Sequence, residues 1–198
     1  MLTKNVVLLG AAAVGKSALV QRFIHNTFDH LYYATIEDTY TRLVANGKNI
    51  IELHITDTSG DNAFASLHDA YIQSGDGFIV VYSTTDVDSF LYAREKLGRI
   101  RELRPGVPVL LVGTNTDVVD YREVPFIAAS RLSNNFNATL MEVSAANTLE
   151  VNSVFRQMVK EMCPLPREDN TACLWKALVV TLISLAIAST VLVVLLLQ

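Results

Sequence analysis

Gly10-Ala11-Ala12-Ala13-Val14-Gly15-Lys16-Ser17 follows the apolar residues 5–9, which read as a short buried strand, and precedes residues 18–24, whose apolar positions recur at helical spacing. A loop of this kind turns its backbone N–H groups, and those of the helix it opens, toward an anion. Lys16 can reach terminal phosphates and the Ser17 hydroxyl can ligate Mg²⁺. Lys4 and the apolar run 6–14 also have the makeup of a secretory signal. Gly10 breaks that run, however, and cleavage there would destroy the loop, so this part of the chain is expected in the cytosol.

At the other end, residues 177–197 carry no charge. A helix of about 21 residues rising 1.5 Å each covers roughly 32 Å, the thickness of a bilayer core. Trp175 and Lys176 precede it, suited to the headgroup layer. With only Gln198 after it, the segment is expected to insert after synthesis as a tail anchor, a single-pass membrane helix with the rest of the chain cytoplasmic. Ser184, Ala186, Ala188 and Thr190 offer a small-residue face, a weak signal for helix pairing.

Every Lys, Arg, Asp and Glu lies before residue 177, so the net charge of −4 describes the remainder. A mildly acidic domain has no electrostatic footprint for nucleic acid. Two cysteines, Cys163 and Cys173, argue against a disulfide framework. They read as reduced thiols, with acylation beside a membrane as the alternative.

Between these ends strand and helix signals alternate. Asn46-Gly47 reads as a hairpin turn between strands at 40–44 and 49–55. Further strands are expected at 78–82, 107–112 and 140–143, and helices at 66–74, 87–103, 126–135 and 149–162. This order predicts an α/β fold, a mostly parallel six-stranded sheet with helices on both faces and its ligand at the carboxyl ends of the strands. The expected domains are 1–163 for the nucleotide-binding fold, 164–176 for a polar linker and 177–197 for the transmembrane helix.

From about Lys4 to Met162 the chain resembles a Ras-type small GTPase. Besides the phosphate loop, the segment from Tyr32 through Thr35, Ile36, Glu37 and Asp38 to Tyr40 is similar to the first switch of the Ras and Rap branch. Asp57-Thr58-Ser59-Gly60 is similar to the DxxG switch. The resemblance implies GTP or GDP with Mg²⁺ as ligands. Gly10, Ala13, Gly15, Lys16, Ser17 and Ala18 would cradle the phosphates. Ser17 and Thr35 would ligate the metal, Asp57 would hold it through water, Gly60 would sense the γ-phosphate, and Phe28 would pack on the base. Lys16, Thr35, Gly60 and Asp61 would form the catalytic set. Taken singly, Thr35 reads as a β-branched residue entering a strand, Asp57 as a turn former and Phe28 as a core aromatic; the order of the matches favours the joint functional reading. Tyr32, Ile36, Glu37, Asp38 and Tyr40 would face an effector that adds a strand to this edge, against the plainer reading of solvated carboxylates guarding it.

Several positions depart from the family pattern. Asp61 stands where the family has the glutamine that orients water, and a carboxylate there repels developing phosphate charge. A general-base role for Asp61 is the alternative. Ala12 replaces a glycine and would crowd an arginine entering from an activating protein, whereas Ala13 is shared with the Rho branch. Thr114-Asn115-Thr116-Asp117 replaces NKxD: Asp117 keeps the carboxylate for guanine, while Thr114 and Asn115 replace the buttressing asparagine and the lysine covering the base. Ser144-Ala145-Ala146 is similar to the SAK loop, with the Ala145 N–H available to the guanine O6 and Ala146 in place of lysine. Weaker affinity, faster exchange and slow hydrolysis are expected. Leu195 occupies the place of the prenylated cysteine, so the tail replaces the lipid. The chain is expected to be a tail-anchored GTPase with effectors, an exchange factor and an activating protein as partners. The alternatives are a pseudo-GTPase membrane scaffold that binds nucleotide weakly, and a GTPase whose hydrolysis a partner completes.

Overall fold

A computed structural model describes residues 2–28, 35–60, 65–165, 179 and 181. Strands are β1 (Leu2–Gly10), β2 (Glu37–Asn46), β3 (Asn49–Thr58), β4 (Gly77–Ser83), β5 (Val109–Thr114) and β6 (Thr139–Glu142). Helices are α1 (Lys16–His25), α2 (Ala65–Ser74), α3 (Val87–Leu103), α4 (Phe126–Asn135) and α5 (Thr148–Met162). The sheet runs β2-β3-β1-β4-β5-β6, parallel except for the β2–β3 hairpin.

Alternation along the buried strands separates two cores, because successive side chains point to opposite faces. Val6 and Leu8 of β1 join Leu19 and Phe23 of α1 and Val154, Phe155 and Met158 of α5 on one face. Val7 and Leu9 join Ile72 of α2, Leu97 and Ile100 of α3 and Leu132 of α4 on the other. The Phe23 and Phe155 rings stack with centroids 4.0 Å apart, which fixes α1 against α5.

The elements expected from the sequence are present, with ends shifted for identifiable reasons. β1 begins at Leu2 rather than residue 5, since its polar start pairs with β3 from Leu2 opposite Ile51. β5 begins at Val109 rather than 107: the Val107 N–H closes a turn onto the Arg104 carbonyl and Pro108 has no N–H for a ladder. The hairpin loop is Gly47-Lys48 rather than Asn46-Gly47, with Asn46 and Asn49 forming the last pair. Gly47 supplies the positive φ, 61°, that the first central position of a two-residue turn takes.

Parallel strands bring four loops to one edge of the sheet: residues 10–17 after β1, 57–60 at the end of β3, 114–117 after β5 and 144–146 after β6. By contact, the chain divides into units Met1–Pro164 and Leu165–Gln198. Among the described residues no helix is long and apolar enough to cross a membrane. The span expected at 177–197 lies outside them except for Val179 and Thr181, both helical.

Candidate nucleotide and metal site

The loop after β1 is drawn tight by its own residues. Gly10 ends the strand, Ala13 sits in the left-handed region at φ 58°, and Gly15, at φ 92°, caps α1. Lys16 opens the helix and is buried; its Nζ donates to the Gly10 carbonyl at 2.9 Å and the Ala11 carbonyl at 2.8 Å. Burial lowers its pKa to about 8, with the Asp57 charge opposing. An ammonium held within a loop of this kind suits a phosphate chain.

Ser17, Thr35 and Asp57 converge beside it. The Ser17 and Thr35 hydroxyl oxygens are 2.9 Å apart, and Ser17 hydrogen-bonds to the Asp57 carboxylate. Asp57 is 1 % exposed, and its Oδ1 has no hydrogen-bond partner. Burial raises this carboxyl to about 6, against the Ser17 bond and the Lys16 charge, while Asp38 pushes it further up. An orphaned buried carboxylate oxygen calls for a cation or water. One carboxylate and two hydroxyls form an oxygen-only set that suits Mg²⁺ shared with phosphates. Among the described residues there is no cluster of three or more His, Cys, Asp or Glu that would compete as a metal site.

Gly60 lies against the phosphate loop. A Cβ there would stand 2.2 Å from the Ala12 nitrogen and 2.3 Å from the Ala11 carbonyl carbon, so only glycine permits this approach. Upstream, the Ser59 N–H donates to the Ile36 carbonyl at 3.0 Å, joining the Asp57–Gly60 segment to the strand entering β2.

On that entering strand, Ile36, Glu37 and Asp38 are exposed. Tyr40 is half-buried and its hydroxyl accepts from Gln21 Nε2 at 3.0 Å. Glu37 is tied to α2, where the Tyr71 hydroxyl donates to its Oε2. α2 is in turn held to α3 by a two-pronged ion pair: Arg99 Nε to Asp69 Oδ1 at 2.9 Å, and Arg99 Nη2 to Asp69 Oδ2.

The loops after β5 and β6 face each other across a hollow of about 770 Å³, lined by Thr116 and Asp117 on one side and by Ser144, Ala146 and the start of α5 on the other. Thr114 lies beneath the phosphate loop, fully buried, its hydroxyl 2.7 Å from the Val14 carbonyl and 3.0 Å from the Tyr82 carbonyl. Standing where the family has the buttressing asparagine, the threonine hydrogen-bonds the loop itself, its single proton serving the two carbonyls in turn. Asn115, in the left-handed region at φ 60°, points its amide at Ser83 Oγ, 3.0 Å away.

Of the expected site residues, Gly10, Ala13, Gly15, Lys16, Ser17, Thr35, Asp57 and Gly60 gather around the first loop with Thr114 beneath it, Asp117 and Ser144 line the hollow, and Asn115 and Ala145 lie on the same two loops. Ala18 and Phe28 are partly buried against the α1–α5 core. Tyr32 and Asp61 lie outside the described residues. Sequence reasoning missed Arg22, whose Nε donates to the Ala145 carbonyl at 3.1 Å across 123 positions, and Tyr71. It also missed Asn147 and Glu150, a cap and a carboxylate three residues on that together open α5; that spacing was legible.

A six-stranded α/β sheet in this strand order, with a glycine-bounded loop after β1 that encloses a buried lysine, has the architecture of the small-GTPase fold. The Ras family model matches residues 5–164. The GTP-binding protein drn-1 of Caenorhabditis elegans is 34% identical over 160 residues, covering 78% of this chain and 73% of that protein. The chain belongs to the Ras family. Members of this family are GTPases that bind GTP or GDP with Mg²⁺ and work with effectors, exchange factors and activating proteins.

Proposed function

We propose that this chain is a membrane-anchored guanine-nucleotide switch that presents its β2 edge to an effector and hydrolyses GTP slowly. The observation that carries the reading is the convergence of Ser17, Thr35 and the Asp57 carboxylate, whose Oδ1 has no partner, beside the buried Lys16 ammonium. These residues would hold Mg²⁺ and the phosphates, and the metal would neutralise charge on the phosphate oxygens. Asp117 and the Ala145 N–H would select guanine. The exposed carboxylates Glu37 and Asp38 on an edge strand support docking of a basic strand-adding partner.

Slow turnover is argued from chemistry: Asp61 brings negative charge to the place where the family positions water, and the Ala12 methyl narrows the approach of an arginine. With GTP in cellular excess and exchange fast, output would follow abundance and location. The uncharged segment 177–197 supports permanent insertion in a membrane. GTP turnover by the full-length chain tests this, with Asp61→Gln beside it. Faster turnover in the variant supports the reading, and equal or slower turnover refutes the role given to Asp61. Resistance to alkaline extraction from membranes, lost on truncation at Lys176, tests the anchor.

The scaffold reading is favoured by a single observation. Asn115 turns toward Ser83 and Ala146 offers only a methyl, so neither wall of the base hollow carries the long stem the family uses. Micromolar or tighter guanine-nucleotide binding by the chain would exclude it.

A further inference from the structure

We propose that Arg22 is the positioning residue of the base-reading loop, holding residues 144–146 so that the Ala145 N–H is the donor left open for the guanine O6. This rests on the guanine-nucleotide reading above and adds to it a residue remote from the base motifs.

The loop has three backbone donors, and two are taken internally. The Ser144 N–H donates to Glu150 Oε2 at 2.8 Å and the Ala146 N–H to Ser144 Oγ at 3.2 Å. Among the described residues nothing accepts from the Ala145 N–H. The Ala145 N–H shares its peptide plane with the Ser144 carbonyl, which accepts from the Asn147 N–H at 3.0 Å, and hinges at the Ala145 Cα to the next plane, which holds the Ala145 carbonyl and the Ala146 N–H. Arg22 Nε grips that plane by its oxygen at 3.1 Å while Ser144 grips it by its hydrogen, so it cannot turn over without losing both bonds.

The same guanidinium also reaches the end of α1. Arg22 Nη1 donates to the carbonyl of Asn26, the residue capping α1, at 3.1 Å, and its Cζ stands 5.4 Å from the centre of the Phe28 ring. Thr148 Oγ1 closes the circuit by donating to Asn26 Oδ1 at 2.9 Å. A planar, permanently charged fork can serve two carbonyls and lie over a ring at once. A lysine ammonium lacks that geometry. Arg22 thus restores, from α1, order that the residues at 115 and 146 do not supply.

The test compares release of GDP and of 6-thio-GDP from the full-length chain with Mg²⁺ present, for wild type, Arg22→Ala and Arg22→Lys. The sulfur analogue keeps the groups that face Asp117 and replaces O6 with a weak acceptor. Loss of Arg22 is expected to speed GDP release about ten-fold, the scale of a charge-assisted hydrogen bond, while 6-thio-GDP release changes little. The preference for GDP therefore collapses. Arg22→Lys, which keeps the charge and guards against a folding defect, shows the same collapse, and the Mg²⁺ titration midpoint stays put. An equal acceleration of both nucleotides, or none, overturns the inference while leaving the guanine reading intact. A wild-type chain that retains neither nucleotide overturns the guanine reading and this inference with it.

Discussion

The Tyr71 hydroxyl donates to Glu37 Oε2 at 2.5 Å, joining α2 to the first residue of β2. Burial and this bond push the phenol up to about 12, so it remains a donor throughout the physiological range. The carboxylate that a strand-adding partner would read is therefore engaged from within the domain. Tyr71→Phe is expected to lower stability by about 1 kcal/mol, the modest value of a bond open to solvent. A double-mutant cycle with Glu37→Gln, followed by urea denaturation, checks this. A coupling energy indistinguishable from zero would show that the two residues do not depend on each other.

Asp57 predicts a trade between stability and metal binding. Its buried carboxyl is raised from 3.8 to about 6. A raised acid binds its proton more tightly in the folded state. Its destabilisation therefore grows as pH rises from about 4 to about 6 and is complete above that. In EDTA at neutral pH, Asp57→Asn is expected to be more stable than wild type by about 1–3 kcal/mol, and its stability should lack that dependence on pH. With Mg²⁺ and GDP the order should reverse, since the amide cannot replace the carboxylate. Denaturation under both conditions measures the two effects in one pair of proteins.

Thr114 carries a comparable stake in the phosphate loop. Thr114→Val keeps its shape but withdraws the proton from the Val14 and Tyr82 carbonyls, at an expected cost of about 1–3 kcal/mol. Nucleotide release should accelerate in the same variant, because Val14 lies within the loop. Thr114→Ser, which keeps the hydroxyl, should retain most of both. A valine variant that releases nucleotide at the wild-type rate would remove Thr114 from the site.

The sheet and its helices were legible because β4 and β5 are short apolar runs buried on both faces, the β2–β3 hairpin is marked by Asn46-Gly47, and the helices keep a regular apolar stripe. Strand ends were less so: that Leu2 pairs with Ile51 depends on ladder bonds its polar neighbours do not advertise, and Val107 leaves the sheet because Pro108 cannot join it. Lys16, Ser17 and Asp57 could be placed from motif spacing. Arg22 and Tyr71 could not, since each acts on a partner far along the chain, and no local pattern marks an arginine that will reach a carbonyl 123 residues on. Thr114 shows the converse limit. Its position was found, but the chemistry of the substituted side chain became clear only from what it touches.

The central claim is that the cluster at the carboxyl edge of the sheet holds a guanine nucleotide through Mg²⁺. The most direct measurement is the stoichiometry and identity of nucleotide bound to the full-length chain after purification in Mg²⁺, repeated after EDTA. The account predicts close to one guanine nucleotide per chain, lost on chelation and regained with GTP or GDP and Mg²⁺. No bound nucleotide, and no uptake of either on titration with Mg²⁺, would contradict it.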